Sequence, residues 1–209
     1  IEIIYNGIET ERYFRTNTKS LLKKLGIADN ALLIGSLGNV RPAKNYNLLI
    51  EVAALLRSGM IDRQIHFVIA GHKHPKLIES LNTLAKERNV SECVHFIGFY
   101  DNTPEFLSQL DIFLLCSSSE GFSIATIEAM AAGVPVIATK CGGPEEIVTH
   151  DVNGILVEIN NPAVIADAIQ RLVMSDNALL TTEAKRHVVA TFSFETMILR
   201  YREVLGRLL

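Results

Sequence analysis

Four short stretches of this chain carry side chains and spacings suited to chemistry. The first runs from Ser117-Ser118-Ser119-Glu120-Gly121-Phe122 into Ser123-Ile124-Ala125-Thr126-Ile127-Glu128. A helix starting near Ser123 would aim the backbone N–H groups of Gly121, Phe122, Ser123 and Ile124 outward. About half a positive charge and several unpaired donors gather there, which suits a phosphate. Gly121 lets a ligand approach the backbone closely, and Glu120 is able to accept hydrogen bonds from sugar hydroxyls. The plainer alternative is that Glu120 caps the helix and Glu128 pairs with a surface lysine. Glu128 argues against that alternative, because Ile127, Ala129, Met130 and Ala131 flank it and no charge follows before Lys140. A charge in such surroundings needs a partner. Helical rotation sets Glu120 and Glu128 roughly 80° apart, so their spacing alone does not make them an acid/base pair.

The second stretch, Gly38-Asn39-Val40-Arg41-Pro42-Ala43-Lys44-Asn45, brings two cations, Arg41 and Lys44, to a loop before a helix. Cations beside a helix start suit a diphosphate; ordinary solvated charge explains them equally well. In the third, Gly98 to Thr103, Phe99 or Tyr100 is able to stack on a nucleobase, and a tight turn with one aromatic in the core is the alternative. The fourth, Gly142-Gly143-Pro144-Glu145, opens a helix and is explained by a turn alone.

These stretches need a scaffold, and the hydrophobic pattern supplies one. Apolar runs at 31–37, 64–70, 94–97, 111–116, 136–139 and 154–157 read as strands. Helical periodicity marks Thr18 to Leu25, Tyr46 to Arg57, Pro75 to Arg88, Ser123 to Ala132, Pro162 to Met174, Ala178 to Ala190 and Phe194 to Leu208. Thr103 is expected to cap a short helix with Pro104 at its first position. About six strands alternating with helices predict an α/β fold, a doubly wound, Rossmann-like parallel sheet with a helical tail. In such sheets ligands bind at the carboxyl ends of strands, where all four stretches fall.

Composition narrows the function classes. The 209 residues are 48% hydrophobic, enough for one sizeable core. A net charge of −3 gives no basic field for nucleic acid. Three scattered cysteines, Cys93, Cys116 and Cys141, read as reduced thiols of an intracellular protein. No run approaches the ~20 apolar residues of a membrane span. The phosphate-loop, dinucleotide and nucleophile-elbow motifs are absent. So is D-x-D, and the six histidines show no metal-ligand spacing.

With these residues in place, the chain resembles the carboxyl-terminal domain of GT-B glycosyltransferases, in particular the GT4 family of retaining enzymes. The E-G-F-S-I-A-T-I-E-A-M-A-A-G-V-P-V-I-A stretch matches the E-x7-E motif with Glu120 and Glu128. Asn6-Gly7-Ile8, the Gly38-to-Asn45 loop, F-V-I-A-G at 67–71, V-H-F-I-G-F at 94–99 and G-G-P-E-E-I-V follow in family order. The resemblance implies that Glu120 contacts the donor sugar and Glu128 the ribose hydroxyls, while the Gly121–Ile124 amides meet the sugar and diphosphate. Lys44 with an arginine would neutralise the leaving diphosphate. Family members often carry Gly-Arg where this chain has Gly38-Asn39, and Arg41 stands two residues on.

The expected function is therefore donor binding within a metal-independent retaining hexosyltransferase that needs no cofactor. UDP-sugar is the family's commonest donor and GDP-sugar the next. The rival readings are a nucleotide-sugar epimerase of the same fold and a non-catalytic nucleotide-sugar-binding module. Residues 1–14 are expected to be the end of an interdomain linker. The 194–209 helix would pack toward an amino-terminal, acceptor-binding domain outside this chain, and the isolated half would transfer little. The resemblance further implies a cytoplasmic enzyme of glycan assembly, working at the inner face of the membrane.

Overall fold

A computed structural model describes residues 2–13, 18–57 and 61–207. Its centre is a six-stranded sheet: β1 (Leu32–Leu37), β2 (Ile65–Ala70), β3 (Val94–Gly98), β4 (Ile112–Leu115), β5 (Val136–Thr139) and β6 (Ile155–Val157). The strands lie in the order β3-β2-β1-β4-β5-β6, and every pairing is parallel. The chain thus winds outward from β1 to one edge, then returns to β1's other side with β4. Between β1 and β4 the direction of winding reverses, leaving a crevice at their carboxyl ends.

Side-chain alternation along the strands divides the core in two. Leu32 and Ile34 of β1, Phe67 and Ile69 of β2, and Ile112 and Leu114 of β4 face one helical layer. That layer is α2 (Tyr46–Leu56), α3 (Pro75–Glu87) and α7 (Pro162–Met174). Leu33, Val68, Ala70, Phe113 and Leu115 face the other, built on α1 (Ser20–Leu25), α4 (Thr103–Ser108), α5 (Ile124–Ala131) and α8 (Ala178–Phe192). Strands buried on both faces explain the near-continuous apolar runs in the sequence. A four-residue turn of helix, α6 (Pro144–Ile147), and the last helix, α9 (Phe194–Gly206), complete the chain.

The element ends differ from expectation where capping decides them. Asn102, not Thr103, caps α4: its Oδ1 accepts from the Glu105 amide at 3.1 Å, and Thr103 and Pro104 are the first two helical residues. The amide three residues after a cap is the one its side chain reaches, so the Glu105 contact fixes the start at Asn102. Helix α1 begins at Ser20 and not Thr18, and α8 continues two residues past Ala190. Residues 1 and 14 of the expected linker and 208–209 of the expected last helix lie outside the described residues, as do 15–17 and 58–60.

The amino-terminal segment lies against the α8–α9 junction. Ile8 donates to Phe192 O at 2.9 Å and accepts from Phe194 N at 2.8 Å. A Cβ on Gly7 would stand 2.6 Å from Ser193 O, so a side chain there would push the segment off. Tyr5 stacks on Phe122, with centroids 5.4 Å apart, and meets Phe192 edge-on. Helix α9 has no buried residue, and Phe194, Leu199, Tyr201 and Leu205 are exposed along it.

Candidate functional site

The crevice between β1 and β4 holds the residues singled out in the sequence. Strand β1 ends at Leu37 and delivers Gly38 and Asn39; a 3-10 turn, Pro42–Lys44, then carries Lys44 back over the sheet. Strand β4 ends at Leu115 and delivers Ser117 to Glu120. The two loops are sewn together. Ser118 N donates to Ala43 O at 2.8 Å, and the Cys116 thiol contacts Lys44 O at 3.3 Å. Burial pushes the Cys116 thiol up to about 12, so it is core, not nucleophile. Below them the buried Tyr46 hydroxyl donates to Gly38 O at 2.9 Å, which pins the start of the first loop.

Lys44 and Glu120, 76 positions apart in sequence, meet here. The Lys44 ammonium lies 2.7 Å from Glu120 Oε1, and the Ser117 hydroxyl donates to the same oxygen at 2.7 Å. The two charged side chains are only 19% and 16% exposed. Glu120 therefore does not cap α5. Its backbone is held from the other side: Glu120 N donates to Cys141 O at 3.0 Å, and Gly143 N donates to Glu120 O at 2.8 Å. Gly142 has φ +113, and an added Cβ would sit 2.6 Å from Glu120 O. The pair of glycines that a turn alone explained thus lets two loops touch backbone to backbone.

Helix α5 starts at the cleft. Ser123 is its N-cap, but the Ser123 hydroxyl accepts from Thr126 Oγ1 at 2.8 Å and gives no cap to the backbone. Among the described residues, the amides of Gly121, Phe122, Ser123 and Ile124 have no protein acceptor. The α6 turn contrasts with this, because Glu145 accepts there from the amides of Cys141 and Gly142 at 3.1 and 3.0 Å. Unpaired donors at α5, in the same cleft as the Lys44 ammonium, are suited to a phosphate.

An open cleft of about 350 Å³ results. Its lining joins Gly38, Asn39, Lys44, Phe99, Tyr100, Glu120, Phe122, Ser123 and Ile124, all expected from sequence. It adds Leu37, Ala70, Gly71, Thr103 and Ala125, which were not. Ala125 carries no chemical signal and is found only once the helix face is known. Gly71 ends the F-V-I-A-G strand, and its amide donates to Gly98 O at 2.8 Å. The Asn39 side chain accepts from His72 N at 2.9 Å and ties the first loop to the end of β2. Phe99, 61% exposed, stacks on His72 with centroids 4.6 Å apart. Tyr100 leans on Phe106, and burial raises its phenol.

Three expected residues do not line this cleft. Arg41 is exposed in extended backbone ahead of the 3-10 turn. Gly121 is exposed with open space around it. Glu128 lies one turn further along α5, half-buried, and accepts from the Tyr13 hydroxyl at 2.6 Å. Its partner is thus a phenol and not a lysine. Burial raises the Glu128 carboxyl above its ordinary range, while the Tyr13 bond and the nearby Arg12 pull it back.

A wider groove, about 660 Å³, opens at the opposite end of β2 and β3, around His66 and His95. Those imidazoles stack on each other, with ring nitrogens 3.0 Å apart. Among the described residues no group of three or more His, Cys, Asp or Glu is placed to hold a metal ion.

Comparison with known proteins gives concordant results. The family model described as glycosyl transferases group 1 matches residues 17–187. N-acetyl-alpha-D-glucosaminyl L-malate synthase of Bacillus anthracis is 29% identical over 208 residues, which is 98% of this chain and 53% of that protein. Anabaena HepE, solved in complex with UDP and glucose, superimposes with a TM-score of 0.90 at 25% identity, over 99% of this chain and 57% of its own. The carboxyl-terminal domain of a group 1 glycosyl transferase, LpcC of Francisella tularensis, matches with a TM-score of 0.76 at 26% identity. That match covers 90% of this chain and all of the solved domain. The chain spans about half the length of the curated relatives it matches.

Proposed function

Since the chain belongs to the group 1 glycosyl transferase family, we propose that it is the donor-binding half of a retaining hexosyltransferase. It would hold a nucleoside-diphosphate sugar in the β1/β4 crevice. The observation that carries this reading is the convergence of Lys44, Glu120 and the unpaired amides at the start of α5 in one cleft. UDP-sugar is the first candidate donor, in keeping with the UDP and UDP-glucose held by HepE, and GDP-sugar is the second.

The diphosphate lies over the α5 start in this reading, with its negative charge met by the amides and Lys44. As the sugar C1–O bond to the diphosphate breaks, charge grows on the leaving oxygen. Fixed donors already aimed at that position stabilise it without rearranging, so the step needs no metal ion or cofactor. The new C1–O bond forms to an acceptor hydroxyl, whose proton passes to the departing diphosphate oxygen, with the anomeric configuration retained. Glu120, held by Lys44 and Ser117, keeps oxygen acceptor capacity toward the sugar hydroxyls. Phe99, backed by His72, offers an aromatic face for the base. Glu128 takes the ribose, and Arg41 adds positive field from the rim.

The acceptor would bind to an amino-terminal domain outside this chain, and the exposed apolar side chains of α9 are the proposed contact with it. The isolated half would bind donor and transfer little. The reading assigns the full enzyme to glycan assembly in the cytoplasm, against the inner face of the membrane. Among the described residues no helix is long and apolar enough to cross one.

Calorimetric titration of the wild-type chain and Glu120→Ala with UDP, UDP-glucose, GDP and GDP-mannose tests the assignment. The wild type should distinguish the sugar-bearing form of one nucleotide from the bare diphosphate, and Glu120→Ala should lose that distinction while still binding the diphosphate. Identical discrimination in both proteins would refute Glu120's role. The epimerase rival would show itself in the full-length enzyme by interconverting nucleotide sugars without any acceptor.

A further inference from the structure

Tyr13 reaches Glu128 from the far end of the chain, 115 positions away, with a bond of 2.6 Å. Such a length is typical of a hydroxyl donating to an ionised carboxylate. Among the described residues it is the one hydrogen bond that the Glu128 carboxylate receives. On α5, Thr126, Ile127, Ala129 and Met130 are buried, which leaves Ile124, Ala125 and Glu128 as one half-buried strip. Ile124 and Ala125 line the cleft, and Glu128 follows at the i+4 and i+3 positions of the same strip. The glutamate is thus placed as an extension of the cleft, and Tyr13 occupies its Oε1.

The segment bearing Tyr13 is anchored, not draped. A 3-10 turn, Thr10–Arg12, precedes it, and Tyr13 N donates to Thr10 O at 3.1 Å. Ile8 is bonded on both sides to the α8–α9 junction. Tyr5 of the same segment stacks on Phe122, which itself lines the cleft. The amino-terminal segment therefore touches the proposed donor site at two points.

We propose that Tyr13 is a positioning residue for nucleotide recognition. By occupying Oε1, it orients the Glu128 carboxylate so that Oε2 faces the two ribose hydroxyls, and so gives the site its preference for ribonucleotides. This rests on the reading of Glu128 as the ribose-holding group. Charge balance supports it: a carboxylate inside an apolar helix environment is costly when ionised, and a phenol is a neutral donor that stabilises the ionised form without cancelling its charge.

The test compares UDP with 2′-deoxy-UDP and 3′-deoxy-UDP, and GDP with its deoxy forms, by calorimetry on the wild type, Tyr13→Phe and Glu128→Gln. The wild type should prefer the ribonucleotide. Tyr13→Phe keeps the ring, and should weaken ribonucleotide binding about tenfold while weakening the singly deoxy forms, which keep one of the two hydroxyls, by less. In Tyr13→Phe the ribo-preference should also fade at a higher pH than in the wild type, because the donor that favours ionised Glu128 is gone; loosened packing alone would not move that profile. Equal weakening of ribo and deoxy forms would mean a structural role and overturn the inference, as would a preference unchanged from wild type. A wild type that binds ribo and deoxy forms alike would overturn it while leaving the Lys44–Glu120 reading standing. A wild type that binds no nucleotide would remove that reading and the inference together.

Discussion

Lys44→Met and Glu120→Gln, made singly and together, convert the cleft ion pair into a measurable energy. The pair is short, 2.7 Å, with side chains 19% and 16% exposed. Removing one partner of a fully buried pair costs about 3–5 kcal/mol, and an exposed pair is worth about 0–1 kcal/mol. This pair lies between those limits, with one wall open to solvent. Lys44→Met leaves the Glu120 carboxylate with the Ser117 hydroxyl alone among the described residues, so a loss of about 2 kcal/mol is expected. Glu120→Gln leaves an ammonium on a flexible stem that can swing into water, and about 1 kcal/mol is expected. The double variant should lose less than the sum, with a coupling of about 1–2 kcal/mol. Urea denaturation at constant slope measures all four proteins. Repeating the series at high salt should erode the coupling only in part, since a shielded pair is screened less than a surface one. Losses that add within ~0.3 kcal/mol would refute the reasoning, because two groups bonded to each other cannot be energetically independent.

Gly142→Ala should act on the same loop from the other side. A residue with a side chain at φ +113, with its Cβ 2.6 Å from Glu120 O, costs about 1–2 kcal/mol for the left-handed backbone alone. The melting point should fall and donor binding weaken further as Glu120 is displaced; an unchanged titration would show that the Gly142 contact does not set the loop. Glu128→Gln should separate stability from binding. Burial holds the Glu128 carboxyl above its ordinary range, so the folded chain binds that proton more readily than the unfolded chain. Stability therefore falls as pH rises through the raised value, and the cost is fully present above it. Glutamine removes the charge, so the variant should melt higher than wild type at pH 7. The gap should close as pH falls toward the ordinary carboxylate range, and a pH series of unfolding midpoints with no such convergence would contradict the assigned cause.

How much of this was visible before the fold was known depends on the range of each interaction. Apolar runs located every strand, three of them closed by Gly38, Gly71 and Gly98, because a doubly covered parallel strand must be largely apolar. Residue types alone marked Glu120 as an acceptor and left Lys44 explained equally well by solvated charge; the resemblance placed the two on one ligand. Their bond to each other was not legible, since it depends on β4 lying next to β1, and nothing local encodes that neighbour. The apolar flanks of Glu128 showed that it needed a partner. The partner, Tyr13, lies in a segment whose own sequence says only that a turn occurs at Asn6-Gly7. Arg41 illustrates the limit of spacing: three residues from Lys44, it stands ahead of the 3-10 turn that folds Lys44 inward. The Asn102 cap shows the same limit at a scale of one residue. Asn102 and Thr103 are both good caps, and only the Glu105 amide contact decides between them.

The most direct test of the central claim is a calorimetric titration of this chain with UDP, with and without EDTA, alongside Lys44→Met and uridine. The expected result is saturable binding of UDP that EDTA leaves unchanged, weakened tenfold or more in Lys44→Met, with uridine binding equal in both proteins. Binding of UDP that Lys44→Met leaves intact, or that vanishes with EDTA, would contradict a diphosphate held by Lys44 and the start of α5.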